Sequence, residues 1–271
     1  MPQKRQSGIF DPRRLAGAAI STLTYTYTSG YKVPTHFHEQ DQLLYGVCGA
    51  MAVTTDEGMW VVPPNRAVWI PAKTNHSIVM WGALTMKTLY LKRGMVKWLG
   101  KQCRVLNVSS LMKELLLEAC RIGSLNRRKP AQARLIGIIL DQLEEAPAVP
   151  LRVPMPVDSR ALKIAAILRN DPGDRRPLSA LCRLCGASKR TIERLFREET
   201  GITFGRWRQQ MSLVHAIRLL AEGNKVTGVA LEAGYNSPSA FIAMFKKILG
   251  MTPAQYLASS ASRLRMQMRR G

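Results

Sequence analysis

Three of the four histidines in this chain have a spacing that suits metal binding or ligand contact. His36 and His38 are separated by one residue, so on an extended strand their side chains project from the same face. His76 from a neighbouring strand could join them. Neutral imidazoles suit Zn, Fe, Ni or Mn, whereas the nearby Gln42 is a poorer ligand than a carboxylate. Two interpretations remain open: a divalent-metal site, or a metal-free pocket whose histidines contact an effector or hydrogen bond the loops.

Short β-prone segments surround these histidines in the first hundred residues. They are rich in β-branched and aromatic residues and are separated by Gly, Pro and Asn turns. Such regular spacing of short strands is typical of a sandwich or a barrel. The predicted strands cover residues 22–27, 43–53, 59–62, 68–70, 78–81 and 84–91.

Glycines and a proline complete the pattern around the histidines. The order is Gly30-x5-His36-x-His38-x3-Gln42-x6-Gly49, followed by Pro71-x4-His76. This arrangement resembles the two sequence motifs of the cupin barrel. The resemblance implies that the three histidines would be ligands in a metal-binding member, with Gln42 in place of the usual Glu. Lys73 stands at a glycine of the second motif, and Met80 stands where Asn is common.

The second half of the chain contains two helix-turn-helix patterns. In the later one, Gly234 permits a tight turn, Ser237 can cap backbone N–H groups, and Pro238 suits a first helical turn. Gly250 ends the predicted helix. Its apolar face is formed by residues at spacings of three and four: Phe241, Met244, Phe245 and Ile248.

The earlier pattern has the same order of signals. A short apolar helix begins at Leu178, Gly186 and Ser188 form a turn with a cap, and a basic helix runs over 189–200. Between the two patterns, residues 204–222 are periodic enough for one continuous helix. That helix would fix the spacing of the two units. The short helix is apolar through Leu178, Leu181, Cys182 and Leu184, and the residues predicted to face inward from the basic helix are Ile192, Leu195 and Phe196.

Residues 158–257 resemble the DNA-binding domain of the AraC/XylS family of bacterial transcription regulators. The resemblance rests on Leu178-x-x-Leu181-Cys182, Gly186-x-Ser188, the run Arg190–Phe196, Gly201, Gly234-Tyr235-Asn236-Ser237-Pro238-Ser239-Ala240-Phe241, Phe245-Lys246-Lys247, Gly250 and Thr252-Pro253-x-x-Tyr256. It implies that each unit places one recognition helix in a major groove of double-stranded DNA. Successive grooves on one face are about 34 Å apart, so one subunit would read two of them.

The family pattern also implies which side chains contact DNA. In the first unit, the exposed residues near the helix start are Lys189, Arg190, Glu193 and Arg194. Arginine can bind guanine through two hydrogen bonds, and Glu193 can accept from cytosine. Alternatively, Glu193 forms a salt bridge that orients Arg190 or Arg197.

The second unit offers fewer strong donors. Ser239 and Ile242 are its predicted base contacts, the latter through thymine methyl groups. Ser237, Lys246 and Lys247 are its predicted phosphate contacts.

The first domain is similar to the sensory cupin of AraC-type regulators. This resemblance rests on the run Gln42–Tyr45 and on residues 62–72. It implies a small-molecule effector pocket and no catalytic residues. The predicted pocket residues are His36, His38, Gln42, His76, Tyr45 and Trp69. The alternative from another functional class is a metal-dependent cupin enzyme, such as a dioxygenase, fused to a DNA-binding module.

Two further helical segments and a proline-rich stretch connect the halves. Residues 108–122 and 131–143 carry apolar faces. The resemblance to AraC-type regulators implies that these helices pack on the barrel and pair two subunits, and burial within one subunit is the alternative. Residues 146–157 contain four prolines and form the predicted interdomain linker. The predicted organisation is an α+β multidomain chain: a cupin-like β-barrel over 1–104, a helical dimerisation segment and linker over 105–157, an all-α DNA-binding domain over 158–260 and a basic tail over 261–271.

Composition agrees with a regulator that binds a polyanion. The formal net charge is +22 over 271 residues, and the basic excess is spread over both halves. Five cysteines at irregular spacing disfavour a disulfide framework. We find no targeting or membrane segment, which predicts a cytoplasmic protein without a membrane partner. The expected partners are operator DNA, a small effector, a second copy of the chain, and RNA polymerase if the protein is an activator.

Overall fold

The computed structural model describes residues 17–171, 173–235 and 237–258. Strands occupy most of the first part, here called the β domain (17–154), and helices occupy the helical domain (159–258). The predicted basic tail lies outside the described residues. Within the described ranges, no helix combines the length and the apolar character needed to cross a bilayer.

Two antiparallel sheets form the β domain. The seven-stranded sheet has the order β10-β1-β8-β3-β6-β9-β11, and the five-stranded sheet has the order β12-β5-β4-β7-β2. Apolar side chains of both sheets share one buried core. The strands are β1 (Ile20–Tyr27), β2 (Lys32–His36), β3 (Asp41–Gly46), β4 (Ala50–Thr55), β5 (Gly58–Val62), β6 (Arg66–Ile70), β7 (His76–Trp81), β8 (Leu84–Leu91), β9 (Arg104–Asn107), β10 (Ser124–Leu125), β11 (Ala148–Val149) and β12 (Arg152–Pro154).

The predicted strand over 43–53 is two strands. The chain turns between β3 and β4, where Gly49 has a φ of +68°. A Cβ atom at this position would lie 2.7 Å from the carbonyl oxygen of Ala83, so only glycine fits without a shift. β2 was not predicted, because most of its residues are polar or exposed and give no apolar alternation.

Two helices cover the outer face of the seven-stranded sheet. α1 (Ser110–Ile122) and α2 (Pro130–Glu145) pack there on a second buried cluster. This confirms the two predicted helices. Leu111 and Ile138, in contrast, leave about half of their surface exposed, at 54% and 43%.

The proline-rich segment over 146–157 is not a free linker. It is extended, as its prolines require. However, β11 pairs with β9 in one sheet and β12 pairs with β5 in the other. The segment therefore ties the two sheets together before the chain enters the helical domain.

Six helices of 7 to 18 residues form most of the described part of the helical domain. They are α3 (Ser159–Asn170), α4 (Leu178–Cys185), α5 (Lys189–Thr200), α6 (Phe204–Ala221), α7 (Val226–Glu232) and α8 (Pro238–Leu249), and residues 253–258 are also helical. Ser188 caps α5 and Ser237 caps α8 through their hydroxyl groups. Gly201 and Gly250 end these helices in the left-handed conformation, which confirms the predicted end of α8 at Gly250. Leu184, one of the apolar residues of α4, is exposed.

The two domains share a buried interface. The indole N–H of Trp207 on α6 donates to the carbonyl of Pro154 at 2.7 Å. A guanidinium N–H of Arg66 on β6 donates to the carbonyl of Leu249 at the end of α8, also at 2.7 Å. Gly82 packs directly against the backbone of Ala221. The connecting helix α6 and the end of α8 are thus positioned against the β domain.

Candidate nucleic-acid interface and ligand site

The three predicted histidines come together in the β domain. His36 and His76 are direct partners in the register of β2 and β7, and their rings lie 4.3 Å apart. His38 lies just beyond the end of β2, with its ring 4.8 Å from His36 and 5.5 Å from His76. One ligand nitrogen from each histidine lies within 4.8 Å of the others. Neighbouring strands thus bring the cluster together, although His38 reaches it from a loop.

Backbone carbonyls set the tautomers of two of these rings. The Nδ1 of His36 is 2.8 Å from the carbonyl oxygen of Pro34, and the Nδ1 of His76 is 2.9 Å from that of Thr74. Because a carbonyl oxygen only accepts, the neutral form of each ring carries its proton on Nδ1 and its lone pair on Nε2. The Nε2 of His76 is buried and has no hydrogen-bond partner. A buried imidazole nitrogen with this lone pair is a donor that a divalent metal can bind.

Burial keeps two of the rings neutral. Burial, with a smaller contribution from the neighbouring His36, lowers the pKa of His38 to about 3 and the pKa of His76 to about 4. A neutral imidazole is the metal-binding form, so no proton has to be displaced near neutral pH.

Gln42 lies beside the histidines together with a tyrosine that the sequence did not single out. Tyr90 packs edge-on against His38, with ring centroids 5.0 Å apart. Hydrogen bonds from Gln42 and Thr88 favour its ionised form, but burial is the larger effect and raises the Tyr90 pKa. Gln42 also donates to the hydroxyl of Thr88 at 3.2 Å. Only the register of β3 and β8 places Tyr90 at the site, because Tyr90 is paired with Gln42 on these neighbouring strands.

Tyr45 and Trp69 do not line this pocket, contrary to the prediction. Both belong to the cluster between the seven-stranded sheet and the helices α1 and α2. Side chains alternate between the two faces of a strand. Tyr45 is three residues from Gln42, so the two point to opposite faces of β3.

Lys73 has a left-handed backbone conformation, which suits the glycine of the cupin motif at this position. Its φ is +64°, and its N–H donates to the carbonyl of His38 at 2.7 Å. Its side chain pairs with Glu39 at 3.5 Å. The second cupin-like turn therefore forms without glycine and holds the loop that carries His38.

The predicted base-contacting residues of the first unit lie on the exposed face of α5. Ile192, Leu195 and Phe196 are buried on its opposite face. Glu193 pairs with Lys189 at 3.7 Å, not with Arg190 or Arg197 as the alternative prediction had it. Arg194 pairs with Glu198 along the helix. Among the described residues, no carboxylate pairs with the exposed Arg190, so its guanidinium remains available.

The second unit presents a smaller polar face on α8. Ser239, Lys246 and Lys247 are exposed, and Ile242 is half-buried against the core. The Ser237 hydroxyl accepts from the N–H of Ala240 at 3.2 Å, so it caps the helix. Lys246 and Lys247 follow in the last turn.

α6 connects the two units as one continuous helix. Eighteen residues run without interruption, and Trp207, Met211 and Ile217 are among its buried side chains. His215 is also buried, and burial lowers its pKa. The length and burial of α6 hold α5 and α8 at a fixed separation.

Comparisons with known proteins agree with this geometry. Residues 19–204 match the AraC-like ligand binding domain, and residues 181–259 match a helix-turn-helix domain. The chain is 32% identical to the HTH-type transcriptional regulator NimR of Escherichia coli K12 over 249 residues, which is 92% of this chain and 91% of that protein. It is also 30% identical over 103 residues to the HTH-type transcriptional regulator RipA of Corynebacterium glutamicum, covering 38% of this chain and 31% of RipA.

A solved structure of ToxT from Vibrio cholerae O395 covers 89% of this chain and 98% of its own, at 12% identity and a TM-score of 0.38. The family match over 19–204 extends over more than half of the chain. The match to NimR extends over nearly the whole of both proteins. The chain therefore belongs to the AraC/XylS family and is a transcriptional regulator with a ligand-binding domain followed by a helix-turn-helix DNA-binding domain.

Proposed function

We propose that one subunit reads two successive major grooves through α5 and α8. The observation that carries this proposal is the pair of capped helices joined by the continuous, buried helix α6. A rigid connection supports simultaneous docking, because the two grooves on one face of DNA repeat about every 34 Å. The family membership supports the same arrangement.

Base recognition belongs mainly to α5 in this proposal. Arg190 is the strongest candidate because it is exposed and carries no ion pair among the described residues. Its guanidinium can donate twice to the N7 and O6 atoms of guanine. Lys189, Glu193 and Arg194 would have to exchange their ion pairs along the helix for contacts with bases. Exposed pairs of this kind contribute little, so the exchange costs less than about 1 kcal/mol.

α8 contributes mainly to affinity. Lys246, Lys247 and the Ser237 region would contact phosphates, while Ser239 and Ile242 would touch bases. Since Ile242 is half-buried, only part of its side chain is available to a thymine methyl group. Phosphate contacts position the protein without reading the sequence.

The experiment that tests this assignment compares two alanine variants on selected and random duplexes. A preferred site is first obtained by selection from a random library with the full chain. Arg190→Ala should weaken binding to that site by about 1–3 kcal/mol and change binding to random DNA little. Lys246→Ala should weaken both alike and reduce the salt dependence by about one unit. Equal losses on both duplexes for both variants would contradict the assignment.

For the β domain we propose that the histidine cluster is the ligand-sensing site and not a catalytic centre. The relatives named above are regulators, which supports sensing. His36, His38 and His76 fit a divalent metal by their donor set, tautomers and buried Nε2 atom. A bound metal would supply a Lewis-acidic position for an effector. Zinc titration by calorimetry should show one site in the native chain and none in His76→Ala, and equal binding by both proteins would remove the metal from the proposal.

We further propose that α1 and α2 pair two subunits. The partly exposed Leu111 and Ile138 lie on these helices, away from the sheet. A homodimer would present four helix-turn-helix units to a repeated operator.

A further inference from the structure

A cleft opens where one edge of the β domain meets the end of α8. Its volume is about 720 Å³, within the size range of small-molecule sites. The β domain contributes Arg66, Lys113 and the start of α1, and the helical domain contributes residues 247–251. None of the described residues that line the cleft is acidic, and three of them are cationic. The cleft therefore attracts anions.

Arg66 is the buried charge of this cleft. Only 7% of it is exposed, and its two terminal nitrogens donate to the carbonyls of Asn65 at 2.9 Å and Leu249 at 2.7 Å. Its Nε is buried and has no hydrogen-bond partner. Among the residues that the structure describes, no carboxylate forms an ion pair with Arg66. A buried guanidinium with only neutral partners is unfavourable unless an anion joins it.

The first turn of α1 adds a second attraction for negative charge. Ser109 caps this thirteen-residue helix by accepting from the N–H of Met112 at 3.0 Å. The N–H groups of Ser110 and Leu111 have no acceptor within the helix, and the helix dipole is positive at this end. Lys113 lies on the same turn, where an ion pair with the exposed Glu114 at 3.1 Å holds it only weakly.

We propose that this cleft is a second ligand site, separate from the histidine cluster, for a small metabolite that carries a carboxylate or phosphate group. Arg66, Lys113 and the start of α1 bind the anionic group from the β domain, and Lys247 of α8, proposed above as a DNA phosphate contact, binds it when the chain is not on DNA. Burial lowers the pKa of Arg66, and a bound anion offsets this effect.

The location of the site gives it a regulatory consequence. Arg66 already joins β6 to the last carbonyl of α8. An anion held between Arg66, Lys113 and Lys247 strengthens the arrangement in which the domains are docked. By linkage, a ligand that prefers the docked arrangement shifts the chain towards it.

Calorimetric titration of the full chain tests the site. Inorganic phosphate and citrate are titrated separately at constant pH and ionic strength, with chloride as the balancing ion. The variants are Arg66→Gln and Lys113→Gln, and the matched control is Lys32→Gln, an exposed lysine on β2 in the other sheet. We expect saturable binding of at least one anion, weakened about tenfold in Arg66→Gln and several-fold in Lys113→Gln, and unchanged in Lys32→Gln.

The two titrants separate the two ligand chemistries. Binding of phosphate alone assigns a phosphorylated metabolite, and binding of citrate alone assigns a carboxylate. Circular dichroism establishes that Arg66→Gln is folded, and the more exposed Lys113→Gln tests the site if it is not. No saturable binding of either anion, or an equal loss in the Lys32→Gln control, would overturn the proposal.

Discussion

Replacement of Gly82 by alanine should separate the two domains without unfolding either. Gly82 lies between β7 and β8 with a φ of +71°. An added Cβ atom would lie 2.9 Å from the carbonyl carbon of Ala221, at the end of α6, and closer still to its oxygen. Both are backbone atoms, so no side-chain rotation relieves the overlap. The two backbones have to move apart by about 1 Å to restore an ordinary carbon–oxygen contact.

The loss of stability expected in Gly82→Ala has two parts, and a substitution at a second glycine separates them. A positive φ costs alanine about 1–2 kcal/mol wherever it occurs. Gly94 has a φ of +82° and no heavy atom within 4 Å of an added Cβ, so Gly94→Ala carries this strain alone. Gly82→Ala carries the same strain plus the loss of close packing, which adds about 1–3 kcal/mol.

Urea unfolding and limited proteolysis measure the difference. We expect Gly94→Ala to keep one cooperative transition. Gly82→Ala should unfold at lower urea concentration and expose the connection over 155–158 to protease. Equal unfolding midpoints and equal cleavage for the two variants would refute the docked arrangement of β7, β8 and α6.

Three further results are expected. The metal-free chain should lose stability as the pH falls from about 6.5 to about 4, because the folded pKa values of His38 and His76, about 3 and about 4, lie below the ordinary value and the unfolded state binds more protons in this range. Urea unfolding at both pH values measures this change in the free energy of unfolding. The change should be smaller in His76→Gln, and an equal pH dependence in the two proteins would contradict the burial argument. Leu111→Glu should shift the mass seen by light scattering from dimer to monomer, whereas an unaltered mass would place the dimer contact elsewhere. Met211→Pro should cost about 3 kcal/mol of helix stability and reduce operator affinity, so a folded variant with full affinity would show that one unit suffices.

The sequence predicted the helical units well because their signals are local. Ser188 and Gly201 bound α5, and Ser237 and Gly250 bound α8, through caps that depend on a few neighbouring residues. The histidine cluster was also predictable, since His36 and His76 follow a motif spacing.

Long-range pairing explains what the sequence did not reveal. The prolines of 146–157 indicate extended chain, but only the tertiary fold decides that β12 pairs with β5. Tyr90 joins the site through a register that no local pattern specifies. The misplacement of Tyr45 has a simpler cause: an odd separation from Gln42 puts the two residues on opposite faces.

Hydroxyl-radical footprinting on a selected site tests most directly whether one subunit reads two grooves. The helical domain fixes α5 and α8 through α6, so each subunit should protect two patches on one face of the duplex, about one helical turn or roughly 10 base pairs apart. Arg190→Ala should weaken sequence preference within one of these patches and leave the spacing unchanged. A single protected patch for each bound subunit would contradict the account.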